Sequence, residues 1–158
     1  MSDSLRILVS WRRVENNKEV YFKNDGQRFA SDRTIKMAVN TDYKVEITFK
    51  PPKVLESLVI LGANIPFDEV KKDNMQCVYT GIWSTVGVAL KKRGQRHEVP
   101  IEMNVDNAGT FKDVMQCKFY KETDKDHVVW GSPLNCVDYE CKLSESRTFV
   151  DTRKTTFR

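Results

Sequence analysis

The residues able to carry chemistry are few and scattered. Two histidines, His97 and His127, and four cysteines, Cys77, Cys117, Cys136 and Cys141, are the chain's stock of soft metal ligands and nucleophiles. Zinc needs clustered, deprotonated ligands. Neither histidine has a second one a helical turn away, and Cys136 and Cys141 fall on opposite faces of an extended segment. No metal site is expected. A cysteine nucleophile needs a thiolate beside a base, so folding would have to bring Asp126-His127 against Cys117 or Cys136. That thiol-dependent enzyme is one reading, and buried structural thiols are the other. Asp138 and Glu140 share a strand face, but with Lys142 in the same row they read as a solvent-facing series. Nucleophile-elbow, dinucleotide and phosphate-loop motifs are absent. No catalytic residue, cofactor or metal is assigned, and the chain reads as non-enzymatic.

The framework that must position any site follows from length and pattern. The 158 residues fit one domain spanning 1–158, with a core over about residues 5–150 and a frayed basic C-terminal tail. No run of about 18 apolar residues would span a membrane, and Met1-Ser2-Asp3-Ser4 lacks the features of a secretory signal or an N-myristoylation site. An intracellular, cytoplasmic life with reduced thiols is expected. The net charge of +4 is spread among alternating positions, apart from Lys91-Lys92-Arg93-Gly94-Gln95-Arg96 and the tail residues Arg147, Arg153, Lys154 and Arg158. The first cluster reads as a hairpin tip and the second as a terminus, in preference to a nucleic-acid or lipid-headgroup patch. Neither interleaves aromatics on which bases could stack, so no nucleic-acid partner is expected.

Alternation dominates the chain. Leu5, Ile7, Val9 and Trp11 share one face, as do Tyr43, Val45, Ile47 and Phe49, each against polar neighbours. Further strands are expected at Val20–Phe22, Gln27–Phe29, Arg33–Val39, Val54–Leu61, Ile65–Phe67, Met75–Trp83 and Phe111–Tyr120, with a short helix as the alternative for Arg33–Val39. Val86–Leu90 and Val99–Val105 read as a hairpin around Gly94, with Pro100 favouring an edge or a bulge, and Arg147–Val150 as a weak last strand. About ten strands, with turn signals roughly every 8 to 12 residues and no long amphipathic helix, specify an all-β antiparallel barrel or sandwich.

The densest stretch runs from Asp126 to Lys142. Val128–Trp130 suits a buried strand, Gly131 and Pro133 interrupt a ladder, and Leu134–Cys141 resumes an extended pattern, which predicts a corner. The inward parity collects Tyr43, Val45, Ile47, Phe49, Tyr79, Trp83, Phe111, Phe119, Trp130 and Tyr139. These are either a dry core or the lining of a slot for an acyl chain or amphipathic peptide.

Several stretches together carry a resemblance. DGQRF (Asp25 to Phe29), RTIK (Arg33 to Lys36), YKVE (Tyr43 to Glu46), VYTG (Val78 to Gly81), GTF (Gly109 to Phe111), KFY (Lys118 to Tyr120), DH (Asp126-His127) followed by WGSP (Trp130 to Pro133), and YECK (Tyr139 to Lys142) resemble the cannabinoid receptor-interacting protein family. The resemblance implies an antiparallel β-barrel similar to that of Rho GDP-dissociation inhibitors. It also implies a non-enzymatic cytosolic adaptor that binds the C-terminal tail of the type-1 cannabinoid receptor, or of a related receptor, and modulates its G-protein signalling. The expected partners are therefore a receptor tail, a lipidated peptide or a G-protein alpha subunit. Recruitment to the inner face of the plasma membrane would come through the partner only. The alternative is a carrier of a small lipid or of lipidated G-protein subunits, independent of any cannabinoid receptor.

Overall fold

The computed structural model describes residues 3–92 and 94–158. Its strands are β1 (Ser4–Arg13), β2 (Val20–Asn24), β3 (Arg33–Ala38), β4 (Asp42–Lys50), β5 (Leu55–Ile60), β6 (Ala63–Asn64), β7 (Phe67–Lys72), β8 (Cys77–Ser84), β9 (His97–Val105), β10 (Gly109–Tyr120), β11 (Ser132–Leu134), β12 (Val137–Leu143) and β13 (Val150–Phe157). A 3-10 turn at His127–Val129 precedes β11. Among the described residues no helix is long and apolar enough to cross a membrane.

Two sheets form, ordered β13-β12-β1-β4-β8-β7 and β11-β2-β3-β10-β9-β5-β6. Neither closes on itself, so of the barrel and the sandwich the fold takes the sandwich. The alternation explains why. Ile7 stands opposite Phe49 on one side and Tyr139 on the other, and Val9 likewise faces Ile47 and Val137, so one parity of three strands makes a continuous apolar face. The second sheet answers with Ile35 and Met37, Val99 to Val105, and Phe111 to Phe119, and the two faces share one apolar cluster. Trp11, Trp83, Tyr43, Tyr139, Phe49 and Phe111 are its largest members. Burial of an aliphatic or aromatic side chain of this kind contributes about 1.5–3 kcal/mol.

Several local expectations need correction. The named strands pair antiparallel except β3 and β10, which run parallel with Lys36 beside Lys118, and an isolated bridge between Thr110 and Phe149 is also parallel. Gln27–Phe29 is loop, and the return strand begins only at Arg33. Val86–Leu90 is irregular, because the Thr85 hydroxyl donates to the Ala38 carbonyl at 2.6 Å and Val88 N–H to the Thr85 carbonyl at 3.1 Å, turning the chain out of β8. Arg93, in the expected basic hairpin tip, lies outside the described residues. Val128–Trp130 is a 3-10 turn running into the corner and not a strand. Pro100 sits in central β9, neither at an edge nor at a bulge. Its carbonyl accepts from Leu61 N–H at 2.9 Å, so its missing donor points to where β5 has already ended.

The edges also differ from expectation. The tail expected to fray is β13, paired with β12 from Val150 to Phe157, and Arg158 N–H donates to the Cys136 carbonyl at 2.9 Å. β7, with its run of charges, is the opposite edge of that sheet and is bulged at Val70. The other sheet ends in the three residues of β11, with Pro133 at their centre, and the two residues of β6.

Candidate functional site

Of the ten inward residues, Tyr43, Val45, Ile47, Phe49, Tyr79, Trp83, Phe111, Phe119 and Tyr139 are buried and form part of the core cluster. Their rings pack on one another, with Trp83 against Phe119 at 6.5 Å between centroids, Phe111 against Tyr139 at 4.8 Å and Phe49 against Tyr79 at 6.0 Å. Trp130 is the exception. It is 59% exposed, because the turn before it sends Val128 inward, and Gly131, at φ 126°, redirects the chain. Tyr79 and Tyr139 also reach surface depressions, and Trp130 stands over a third. The ten residues therefore do not converge on one cavity.

The loop joining β2 to β3 lines two neighbouring clefts. Its conformation is held from within: Asp25 N–H donates to the Asp32 carbonyl at 2.7 Å, and the Gln116 side chain bonds Ser31 through both its oxygen (3.1 Å) and its nitrogen (3.0 Å). Gln116 also donates to the Thr34 hydroxyl at 2.9 Å. Arg28 lines one cleft and Phe29 the other.

The first cleft, of about 640 Å³, is cationic and aromatic. Lys23, Arg28, Lys36, Arg96 and Lys118 line it with Tyr120, Asp124, His127 and Trp130. Arg96 does not wave from a hairpin tip. Its side chain is 11% exposed, with Nε donating to Thr34 at 3.1 Å, an Nη on Asp25 at 3.4 Å and the guanidinium over the Phe29 ring at 4.4 Å. Lys36 is 6% exposed; its ammonium donates to the His127 carbonyl at 3.0 Å and lies 5.8 Å from the Tyr120 ring centre. Tyr120, His127 and Trp130 follow one another in a ring series at 6.5 and 4.5 Å. Burial, then the charges of Lys23 and Arg96, pull the Lys36 ammonium below its usual pKa, and burial and Arg96 do the same to Lys118.

The second cleft, of about 600 Å³, is amphipathic and opens at the mouth between the sheets. Phe29, Val114, Val137 and Phe157 supply apolar walls, while Asp113, Gln116 and Tyr139 supply polar ones. Phe157 is fixed edge-on to Phe22 at 5.2 Å, and the Arg33 guanidinium lies 5.2 Å from its ring centre.

A full-length correspondence decides the family. The family model described as CB1 cannabinoid receptor-interacting protein 1 matches residues 1–157. The chain belongs to that family. It is 40% identical to the CB1 cannabinoid receptor-interacting protein 1 of Mus musculus over 156 residues, covering 97% of this chain and 95% of the mouse protein. The Homo sapiens protein of the same name is 38% identical over the same shares. The stretches that carried the resemblance to the cannabinoid receptor-interacting proteins now have places. DGQRF is the loop lining both clefts, RTIK brings Lys36, KFY brings Lys118 and Tyr120, and WGSP makes the corner that exposes Trp130.

Other chemistry is poorly supplied. Among the described residues no group of three or more His, Cys, Asp or Glu side chains gathers to hold a metal. Cys117 is fully buried, and burial pushes its thiol far above the ordinary range. Burial likewise raises Cys136, and takes Cys141 to about 11.

Proposed function

We propose that this protein is a non-enzymatic adaptor that binds the C-terminal tail of the type-1 cannabinoid receptor, or of a related receptor, and modulates its G-protein signalling from the cytoplasmic side. Membership of the CB1 cannabinoid receptor-interacting protein 1 family over residues 1–157 carries this reading. The amphipathic cleft is the surface best suited to the tail. It offers apolar walls for one face of an extended peptide and Asp113, Gln116 and Arg33 for the other. A lipidated tail would seat its acyl chain at this mouth, because ring-on-ring packing occupies the deeper space between the sheets. Phe119, buried in that packing, is a core residue whose replacement by a charge would report on folding more than on binding.

The test is calorimetric titration of the whole protein with palmitoylated and unmodified receptor-tail peptides. Val114 lines the cleft and is exposed, so Val114→Glu keeps the fold and should weaken peptide binding about tenfold, the equivalent of roughly 1.4 kcal/mol. Failure of both peptides removes the receptor-tail reading. Equal affinity for the two removes the role of the lipid while leaving the adaptor.

A further inference from the structure

The cationic cleft holds more positive charge than the fold consumes. Lys36 and Lys118 are register partners on β3 and β10, and like charges set directly across a strand pair are destabilising. Five cations line the cleft with one carboxylate, Asp124, and Asp25 lies outside the lining as the ion-pair partner of Arg96 and Lys23. Asp25, 1% exposed, is already engaged by Arg96, Lys23 and the Thr34 hydroxyl. Asp124 is engaged by the His127 ring and by the N–H groups of Asp126 and Val128. Even if both are counted, a surplus of three positive charges faces the cavity.

That surplus bounds the ligand. One phosphate monoester brings a charge of about −1.5 to −2 and would leave the cleft partly unmatched, whereas two or more phosphates on a compact ring fit within about 640 Å³ and match the charge. The rim adds a second requirement. Trp130 lines the cleft at 59% exposure, and Val129 beside it is 45% exposed, while Val128 anchors the turn in the protein. An exposed Trp and an aliphatic side chain flanking a basic pocket suit the interface of a lipid layer, where aromatic rings sit at headgroup level and cations meet phosphate. A soluble phosphopeptide would match neither the charge nor this apolar rim.

We infer that the cleft of Lys36, Arg96 and Lys118 binds the multiply phosphorylated inositol headgroup of a membrane lipid, with Trp130 and Val129 entering the headgroup layer beside it. The protein then meets the membrane directly, and not only through its partner. The amphipathic cleft on the other side of the Asp25–Phe29 segment stays free, so a receptor tail and a lipid surface are held together.

Sedimentation with vesicles tests this. The probes are phosphatidylcholine vesicles carrying a few mole percent phosphatidylinositol bisphosphate, vesicles matched in charge with phosphatidylserine, and phosphatidylcholine alone. The whole protein should sediment with the first, more weakly with the second and not with the third, and soluble inositol trisphosphate should compete. Lys36 also supports the His127 turn, so Lys118→Gln and Arg28→Gln carry the charge test, each weakening vesicle binding about fivefold. Trp130→Ser should weaken vesicle binding by a larger factor than it weakens calorimetric binding of inositol trisphosphate, because the ring lies at the rim of the cleft and is 59% exposed.

Equal binding to the charge-matched serine vesicles would overturn a headgroup site. Binding of inositol trisphosphate with vesicle binding indifferent to Trp130→Ser would make this a pocket for a free phosphate compound, and overturn the membrane claim. Preference for a singly phosphorylated peptide over both lipid and trisphosphate would overturn it too. Because Val114→Glu acts only in the neighbouring cleft, loss of tail binding and loss of vesicle binding are separable results.

Discussion

The Tyr139 hydroxyl donates to the Asp113 carboxylate at 2.5 Å, tying β12 of one sheet to β10 of the other at the mouth of the amphipathic cleft. Burial, then the Asp113 charge, hold the phenol pKa well above its ordinary value, so it remains a donor at any working pH. Tyr139→Phe keeps the ring packed on Phe111 and strands the carboxylate. A loss of about 1–2 kcal/mol is expected. Urea unfolding with an unchanged slope and a lowered midpoint would show it; an unmoved midpoint would mean that Asp113 finds an equivalent partner.

Asp138 gives a stability that depends on acid. Its side chain is fully buried, and burial alone would raise its pKa, but hydrogen bonds from Arg6 and Arg158 outweigh this and set it below the usual carboxylate range. A depressed folded pKa means that the unfolded chain takes up the proton first as pH falls. The contribution is therefore complete above about pH 4 and is lost as pH drops through the folded value. Asp138→Asn should lower stability at neutral pH by roughly 1.5–3 kcal/mol and flatten the acid limb of a thermal-midpoint profile. An unaltered acid limb would count against this assignment.

Gly131 fixes the direction of Trp130. Its φ is 126°, and a Cβ there would fall 2.4 Å from the Phe22 carbonyl oxygen, so Gly131→Ala must displace backbone. A cost of about 1–3 kcal/mol is expected. Fluorescence adds a local readout: Trp11 and Trp83 are buried, so the iodide-quenchable emission belongs to Trp130 and should vanish in Trp130→Phe.

Thiol labelling separates a structural from a reactive cysteine set. Cys117 and Cys141 are buried with raised pKa values, and Cys136 is raised but only half-buried. Maleimide at neutral pH should therefore modify Cys136 first and slowly, and all four only in urea. Rapid native labelling of Cys117 would revive a thiol chemistry with His127.

How much of this was written in the sequence depends on which faces the core reads. β1 and β4 are buried on one side and wet on the other, so Leu5 to Trp11 and Tyr43 to Phe49 announce themselves by strict alternation. β7 and much of β13 are edge strands with little buried area, and FDEVKK and VDTRKTTF show no comparable apolar period. The corner at Gly131 was legible, but the outward turn of Trp130 was not, since Val128 to Trp130 fits a buried strand equally well. The cationic cleft was hidden for another reason. Lys36 and Lys118 each look like an ordinary solvent position, and only the parallel register of β3 with β10, a pairing between residues far apart in the chain, sets them side by side.

Every sheet border is unsuited to lengthening. β6 has two residues and β11 three around a proline, while β7 and β13 are interrupted at Val70 and Arg153 and carry rows of charge. Among the described residues a visiting peptide thus meets borders that are short, bulged or charged, which are poor templates for main-chain pairing. Whatever docks here is discriminated by what its side chains or headgroups are, and a sequence change in the partner alters recognition letter by letter where a strand-adding scaffold would tolerate it.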